Sequence, residues 1–235
     1  ESSLSWRDKL EKAVLEIPDD LVASLDKKIA NNPPKSIFLY GSGCNAETIL
    51  KFITKGEFRY NSQNKRIKPH DWGLTVFFHH FMDDIDFGFD KKNIREVIQH
   101  RINNNKDKAF EKLKTLEKKE YKIAHSIITG QIIPEVQNMV DKLIITHSKS
   151  IEKLSCKSIC NQIQPKTFIF HGANDNMIPF TESTQLNELI PNSSLLISYI
   201  FEHKGISSKR SIFFKLKEIF KLIRFFSRFD KHNAS

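Results

Sequence analysis

Several things are scarce in this sequence of 235 residues, and each shortage removes a class of protein. There are three cysteines, Cys44, Cys156 and Cys160, which form no even disulfide framework and fit a reducing compartment. The CKSIC spacing of the last two comes without the partner ligands that a zinc site needs, so neither a metal nor a cofactor is expected. No apolar run reaches the roughly 18 residues of a membrane span. The chain opens ESSLSW, without a Met or the apolar core of a signal segment. A cytoplasmic location is the expectation, and whether a true start lies upstream stays open at this point. Acidic residues are in deficit, 28 against 37 Lys and Arg, and the resulting charge of +9 favours anionic surfaces or ligands. That excess is spread over Lys-rich helical text at residues 106–122 and 209–228. With no Gly- or Arg-rich arm and no nucleic-acid motif, nucleic acid is not an expected partner.

What is present suits a folded core: 39% of the residues are hydrophobic, enough for one domain or one domain with an inserted helical cap. Residues 6–31 carry Leu10, Val14 and Ile17, then Leu21, Leu25 and Ile29, at helical spacing around the stop signal Pro18, so residues 1–35 form an N-terminal helical segment. SIFLYG, apolar from Ile37 to Tyr40 and closed by Gly41, predicts a parallel strand buried on both faces. CNAETILKFITKG follows as a helix ending at Gly56. Residues 90–163 carry repeated helical periodicity and no strand signal. TFIFHG, residues 167–172, and SLLISYIF, residues 194–201, read as two more buried strands with a helix over residues 182–189 between them. Strand, helix, strand at this spacing is a right-handed crossover unit of a parallel sheet. The expected fold class is therefore α/β.

The tail, SIFFKLKEIFKLIRFFSRF, is amphipathic, rich in Phe and interleaved with Lys and Arg. One reading packs it on the sheet as a last helix with a wide apolar face. The other lays it on an anionic membrane surface.

Chemistry collects where parallel strands end, because their carboxyl ends and the following loops meet on one edge. In HGANDNMIPF, Asp175 follows the strand-ending Gly172 in a loop closed by Pro179, with Asn174 and Asn176 favouring turn geometry. The next strand runs into EHKG, where His203 lies two residues past Phe201. Adjacent strands thus deliver a carboxylate and an imidazole to one edge. There the carboxylate can fix the tautomer of the imidazole and stabilise its protonated form while it takes a proton from a nucleophile.

The arrangement of apolar strand, HG, two residues, Asp and a nearby Pro, then helix, strand and His, resembles the C-terminal part of the α/β-hydrolase superfamily. HGANDNMIP and FEHK match residue by residue, and the resemblance implies that Asp175 is the triad acid and His203 the triad base. A narrower resemblance, through IFLYGSGCNAETILKFITKG, KPHDWGLTVFFHHFMDD and HGANDNMIPFTES, is to a group of uncharacterised bacterial α/β hydrolases and covers about residues 36–229. It implies an α/β-hydrolase-like domain over residues 36–235, with a helical cap at about residues 57–163. It also implies that SIFLYG is the strand after the nucleophile strand. If so, the neighbour of SIFLYG on one side is missing, and a partner, an absent N-terminal half or the N-terminal helices must cover that edge.

A nucleophile elbow needs small residues two before and two after the nucleophile, and the sequence has no G-x-S-x-G. The nearest text is GSGCNA. Counting from Gly41 puts Gly43 in the slot and the site is dead, whereas counting from Ser42 to Ala46 puts Cys44 there. Ser42 itself would set Tyr40 where only a small residue fits. His79 with Asp83, and His80 with Asp84, stand one helical turn apart as a weak metal motif, and HDWG either lines a pocket or starts a helix with Asp71 as its cap. Together these point to a hydrolase of carboxylic esters or similar small acyl compounds, with Asp175, His203 and either Cys44 or a nucleophile supplied elsewhere. The competing expectation is an inactive remnant that binds a ligand or partner.

Overall fold

A computed structural model describes residues 34–202, 205–206 and 211–234. The helices expected over residues 6–31 lie outside the described residues. In chain order the first elements are β1 (Ser36–Tyr40), α1 (Ala46–Lys55), β2 (Glu57–Tyr60), β3 (Gln63–Arg66) and α2 (Asp71–His80). Four helices follow, α3 (Lys92–Ile102), α4 (Lys106–Leu113), α5 (Lys118–Thr129) and α6 (Pro134–Thr146), then the short α7 (Ser148–Lys153). The chain then forms β4 (Lys166–Gly172), α8 (Thr181–Leu189), β5 (Ser193–Ser198), β6 (Phe201–Glu202), β7 (Gly205–Ile206) and α9 (Ile212–Ala234).

The parallel sheet has the order β1-β4-β5, with Leu39 opposite Ile169 and Ile169 opposite Leu195. This is the α/β architecture read from the sequence: a small parallel sheet, flanking helices and a long helical stretch between the first strand and the second. β4 is the central strand and is buried almost throughout, as its run TFIFHG requires. β1 corrects an expectation, because it is not buried on both faces: Tyr40 is 49% exposed. The physical reason is its place at the edge, where no described strand pairs with its far side. Phe38 meets rings from α9, stacking on Phe226 at 5.8 Å and meeting the Phe229 ring edge-on at 5.5 Å.

The third strand is also shorter than its apolar text suggests, ending at Ser198 rather than Phe201. There the Tyr199 N–H donates to the carboxylate of the buried Glu218 on α9, at 2.9 Å. Ala173 N–H takes up the Ser198 carbonyl at 2.7 Å, and pairing then passes to the small β6–β7 ladder.

Between β1 and β4 the chain builds a helical block. Its core includes Leu74, Phe78, Ile94, Ile98, Ile127 and Val140, none with more than trace exposure. Helix α1 begins on Asn45, whose side chain accepts from Glu47 N–H, and stops at Gly56. Gly56 has a φ of 66°, and a Cβ there would lie 2.1 Å from the Ile67 carbonyl oxygen, so only glycine fits. Next comes a hairpin that the sequence reading counted as cap text without strands. β2 and β3 pair antiparallel, and the two residues between them, Asn61 and Ser62, have φ of 49° and 60°, the twist of a two-residue hairpin turn.

Helix α9 buries a narrower stripe than its composition suggests. Phe225 packs under Phe168 and Phe170, with Leu222 and Phe229 beside it. A second apolar stripe, Phe213, Leu216, Phe220 and Ile223, faces outward. Among the described residues no helix is long and apolar enough to cross a membrane.

Candidate functional site

The loop after β4 is built around Asp175. Its backbone N–H donates to Gly172 O at 3.1 Å, and its Oδ1 accepts the N–H groups of Met177 and Ile178 at 2.8 and 3.1 Å. Two backbone donors on one oxygen fix the orientation of the carboxylate. Oδ2 lies 3.7 Å from His171 Nε2, and a Cβ on Gly41 would sit 3.6 Å from it. Asp175 therefore stands at the carboxyl end of β4 beside the end of β1, and it is only 4% exposed. Gly41 leaves β1 with φ of 56° and donates its N–H to Phe170 O at 2.9 Å, which carries the chain past the carboxylate.

Behind Asp175 is a buried polar line that sequence reasoning missed. His171 Nδ1 lies 2.6 Å from Ser183 Oγ on α8, and Nε2 lies 3.0 Å from the Ile178 carbonyl. A carbonyl only accepts, so the proton is on Nε2. Ser183 Oγ also lies 3.2 Å from the Ser42 carbonyl. The HG dipeptide was read as part of the strand, HG and Asp signature, which gave His171 no partner of its own. His171 and Ser183 have no exposure, and this line ties β4, α8 and the loop after β1 together.

The GSGCNA loop is held from α8 by a second buried acid. Glu182 Oε2 accepts the N–H groups of Cys44 and Asn45 at 3.0 and 2.8 Å, and its Oε1 accepts the Thr48 hydroxyl at 2.6 Å. With its backbone so held, Cys44 packs with Cys160, Ile169, Leu186 and Ile190. Burial, followed by the neighbouring Cys156 and Cys160, pushes the Cys44 thiol up to about 12. An attacking thiolate requires the opposite shift. Ser42 is half-buried, and its hydroxyl reaches the Tyr40 carbonyl only at 3.5 Å.

The structure thus brings Ser42, Gly41 and Asp175 to one edge and turns Cys44 toward the other two cysteines. His203 lies outside the described residues. The local CKSIC text offers Cys156 and Cys160 no further ligand, and the fold sets Cys44 beside them, with all three Sγ atoms within 4.8 Å of one another. A linear reading could not see this, because Cys44 and Cys156 are 112 positions apart.

The HDWG segment reaches the same region, as His70 N–H donates to Asn176 O at 2.8 Å. It is His70, not Asp71, that caps α2, its Nδ1 accepting from Trp72 N–H at 3.1 Å. Asp71 instead pairs with the buried Arg101 at 3.1 Å. The spacing of His79 and His80 with Asp83 and Asp84 fails as a helical metal motif because α2 ends at His80. Asp83 turns to Arg95 and Lys91, and their hydrogen bonds and charges hold its carboxyl below the usual range.

No protein-family model and no curated protein matches this chain. Among solved structures it is similar to a meta-cleavage product hydrolase from Pseudomonas fluorescens complexed with acetates, at 15% identity and TM-score 0.29, over 89% of this chain and 71% of that one. It is also similar to an α/β hydrolase enzyme from a Medee basin deep-sea metagenome library, at 13% identity and TM-score 0.30, over 88% and 70%. A serine hydrolase from the polyaromatic hydrocarbon-degrading bacterium Cycloclasticus zankles matches at 15% identity and TM-score 0.24, over 79% and 88%. All three carry hydrolase descriptions. Likeness at this level assigns no chemistry to this chain.

Proposed function

We propose that this chain carries the carboxylate and imidazole of a hydrolase acting on a carboxylic ester or similar small acyl compound, with Asp175 orienting His203. The observation that carries the reading is the state of Asp175: buried at the carboxyl end of the central strand and held by two backbone N–H groups on one oxygen. A carboxylate so fixed can hold an imidazole in one tautomer. The imidazole takes the proton as the nucleophile attacks the acyl carbon and returns it to the leaving alcohol, while the carboxylate stabilises the imidazolium in between. In this reading the helical block serves as the cap over the acyl group, and Ser42, Cys44 or a group from outside the described residues is the nucleophile.

A second reading draws on a specific observation, the burial of Cys44, which pushes its thiol pKa up, in a sequence without a nucleophile elbow. Here the chain is a non-catalytic relative that binds a ligand or partner through the β1 edge or the outward stripe of α9.

One experiment separates the two. The purified chain is treated with a fluorophosphonate probe and, in parallel, with iodoacetamide, and the labelled peptides are mapped. Labelling at a serine or at Cys44 that disappears in both His203→Ala and Asp175→Asn supports the enzyme. Silence in a chain whose circular dichroism is native supports the binding module.

A further inference from the structure

Three sulfur atoms from three places in the chain meet between the loop after β1 and the segment leading into β4. Cys44 follows β1, Cys156 follows α7, and Cys160 opens a short 3-10 turn over Cys160–Gln162. Their Sγ atoms all lie within 4.8 Å of one another, and those of Cys156 and Cys160 are 3.8 Å apart. A metal at about 2.3 Å from each of three sulfurs in a plane holds them about 4 Å apart, so the observed triangle needs only small side-chain adjustments to close on an ion. No His nitrogen or carboxylate oxygen among the described residues joins the cluster. The nearest acid to the Cys44 backbone, Glu182, is occupied by two backbone N–H groups and the Thr48 hydroxyl.

We propose that Cys44, Cys156 and Cys160 form a three-thiolate site for a soft, thiophilic d10 cation. The donor set selects the class of ion. Thiolates without nitrogen or oxygen partners suit soft ions and are a poor match for Mg, Ca or Mn, which take oxygen ligands. Three protein ligands also fall one short of a closed structural zinc site, which is four-coordinate. The backbone on the α8 side is fixed before any ion arrives, because Glu182 clamps the Cys44 N–H. The two other sulfurs are joined by a turn in which Cys160 N–H donates to Cys156 O at 3.1 Å.

Access and proton balance are both visible. Cys44 is 1% exposed and Cys160 has no exposure, but Cys156 is half-buried. A cleft of about 840 Å³ is lined by Ser155, Lys157 and Ser158, the neighbours of Cys156 in the chain. In this proposal the ion enters past Cys156, the half-buried member of the three. Without metal, Cys160 Sγ lies 3.1 Å from the Cys156 carbonyl, and Cys156 Sγ lies 3.5 Å from the Gly43 carbonyl. Metal binding replaces these weak S–H contacts by metal–sulfur bonds and releases the three thiol protons to solvent. No electron changes hands.

The test uses the whole chain, fully reduced, titrated with Cd(II) in the absence of oxygen. The expected result is a thiolate-to-cadmium charge-transfer absorbance that saturates at one ion per chain, with a rise in unfolding temperature. Cys156→Ser, at the half-buried and most tolerant position, should weaken binding at least tenfold while leaving circular dichroism unchanged. Cys44→Ser should do the same where it folds, and alkylation of Cys156 in the native chain serves as an independent block. A reduced, folded chain that shows no charge-transfer band overturns the proposal. So does a Cys156→Ser chain that binds cadmium as the parent does. The site does not rest on the hydrolase reading, and a chain silent toward acyl probes can still hold the ion.

Discussion

In the helical block Leu74, Phe78, Ile94 and Ile98 have no exposure at all, whereas in the sheet layer Tyr40 of β1 is half open and Phe213 of α9 is 81% exposed. The block closes on itself: α2, α3, α5 and α6 each turn an apolar stripe inward. The sheet layer has one strand covered on both sides and one edge strand met mainly by the rings of α9. The difference teaches where stability and interaction divide in this molecule. The block keeps most of its large apolar side chains inside, Ile145 being the most open exception, and the sheet layer keeps its surplus where another surface can meet it.

The largest effect should come from the closed side. Phe78→Ala empties a fully buried position and should cost about 3–5 kcal/mol in urea unfolding. A loss below about 1 kcal/mol would mean that the block is looser than its burial implies. Next is the clamp between the two regions. Glu182→Ala strands the N–H groups of Cys44 and Asn45 and should cost about 2–4 kcal/mol, with Glu182→Gln losing less because an acceptor oxygen remains.

A smaller effect follows from the Cys44 thiol, whose folded value is raised from 9.0 to about 12, first by burial and then by its two cysteine neighbours. Above pH 9.0 the unfolded thiol ionises while the folded one keeps its proton, so the native state binds more protons and stability falls as pH rises. The stability tied to the neutral thiol is whole below 9.0 and is lost on the way up to about 12. Unfolding measured across that window should show a shallower decline in Cys44→Ala than in the parent.

The smallest stability effect belongs to the open side. Phe213→Ser should change stability by less than about 0.5 kcal/mol. If the outward stripe of α9 meets an anionic membrane, the same substitution, made together with Phe220→Ser, should reduce co-sedimentation with phosphatidylserine vesicles severalfold. A parent chain that stays in the supernatant removes the membrane reading.

Much of the frame was legible because its signals are local. The apolar run of β4, the Gly56 stop and the Asp-Asn turn with its Pro each announce themselves within a few residues. The β2–β3 hairpin was not, since QNKR is polar and exposed throughout and the alternation of EFRY lasts only four residues. β1 looked buried because Ile, Phe, Leu and Tyr in a row give no hint of what stands beside the strand. Its exposure depends on a neighbour, and neighbours are not written locally. At the site, the position of Asp175 could be read, but the partners of its loop could not. His171 meets Ser183 through a side chain that doubles as a strand residue, and the three cysteines meet across more than a hundred positions.

Helix α9 does more than cover Phe38. Its last turn ties down the first residues of β1: Ser36 Oγ donates to Asn233 Oδ1 at 2.8 Å, and His232 Nε2 lies 3.0 Å from Lys35 O, across 197 residues of sequence. A ribosome making this chain releases β1 long before it releases the helix that fastens it. The edge strand therefore spends most of synthesis unfastened, while the helical block, whose contacts are nearer in sequence, can already close. Chaperone dependence should accordingly track the integrity of this final helix, and nascent chains stalled before it should be the ones that aggregate.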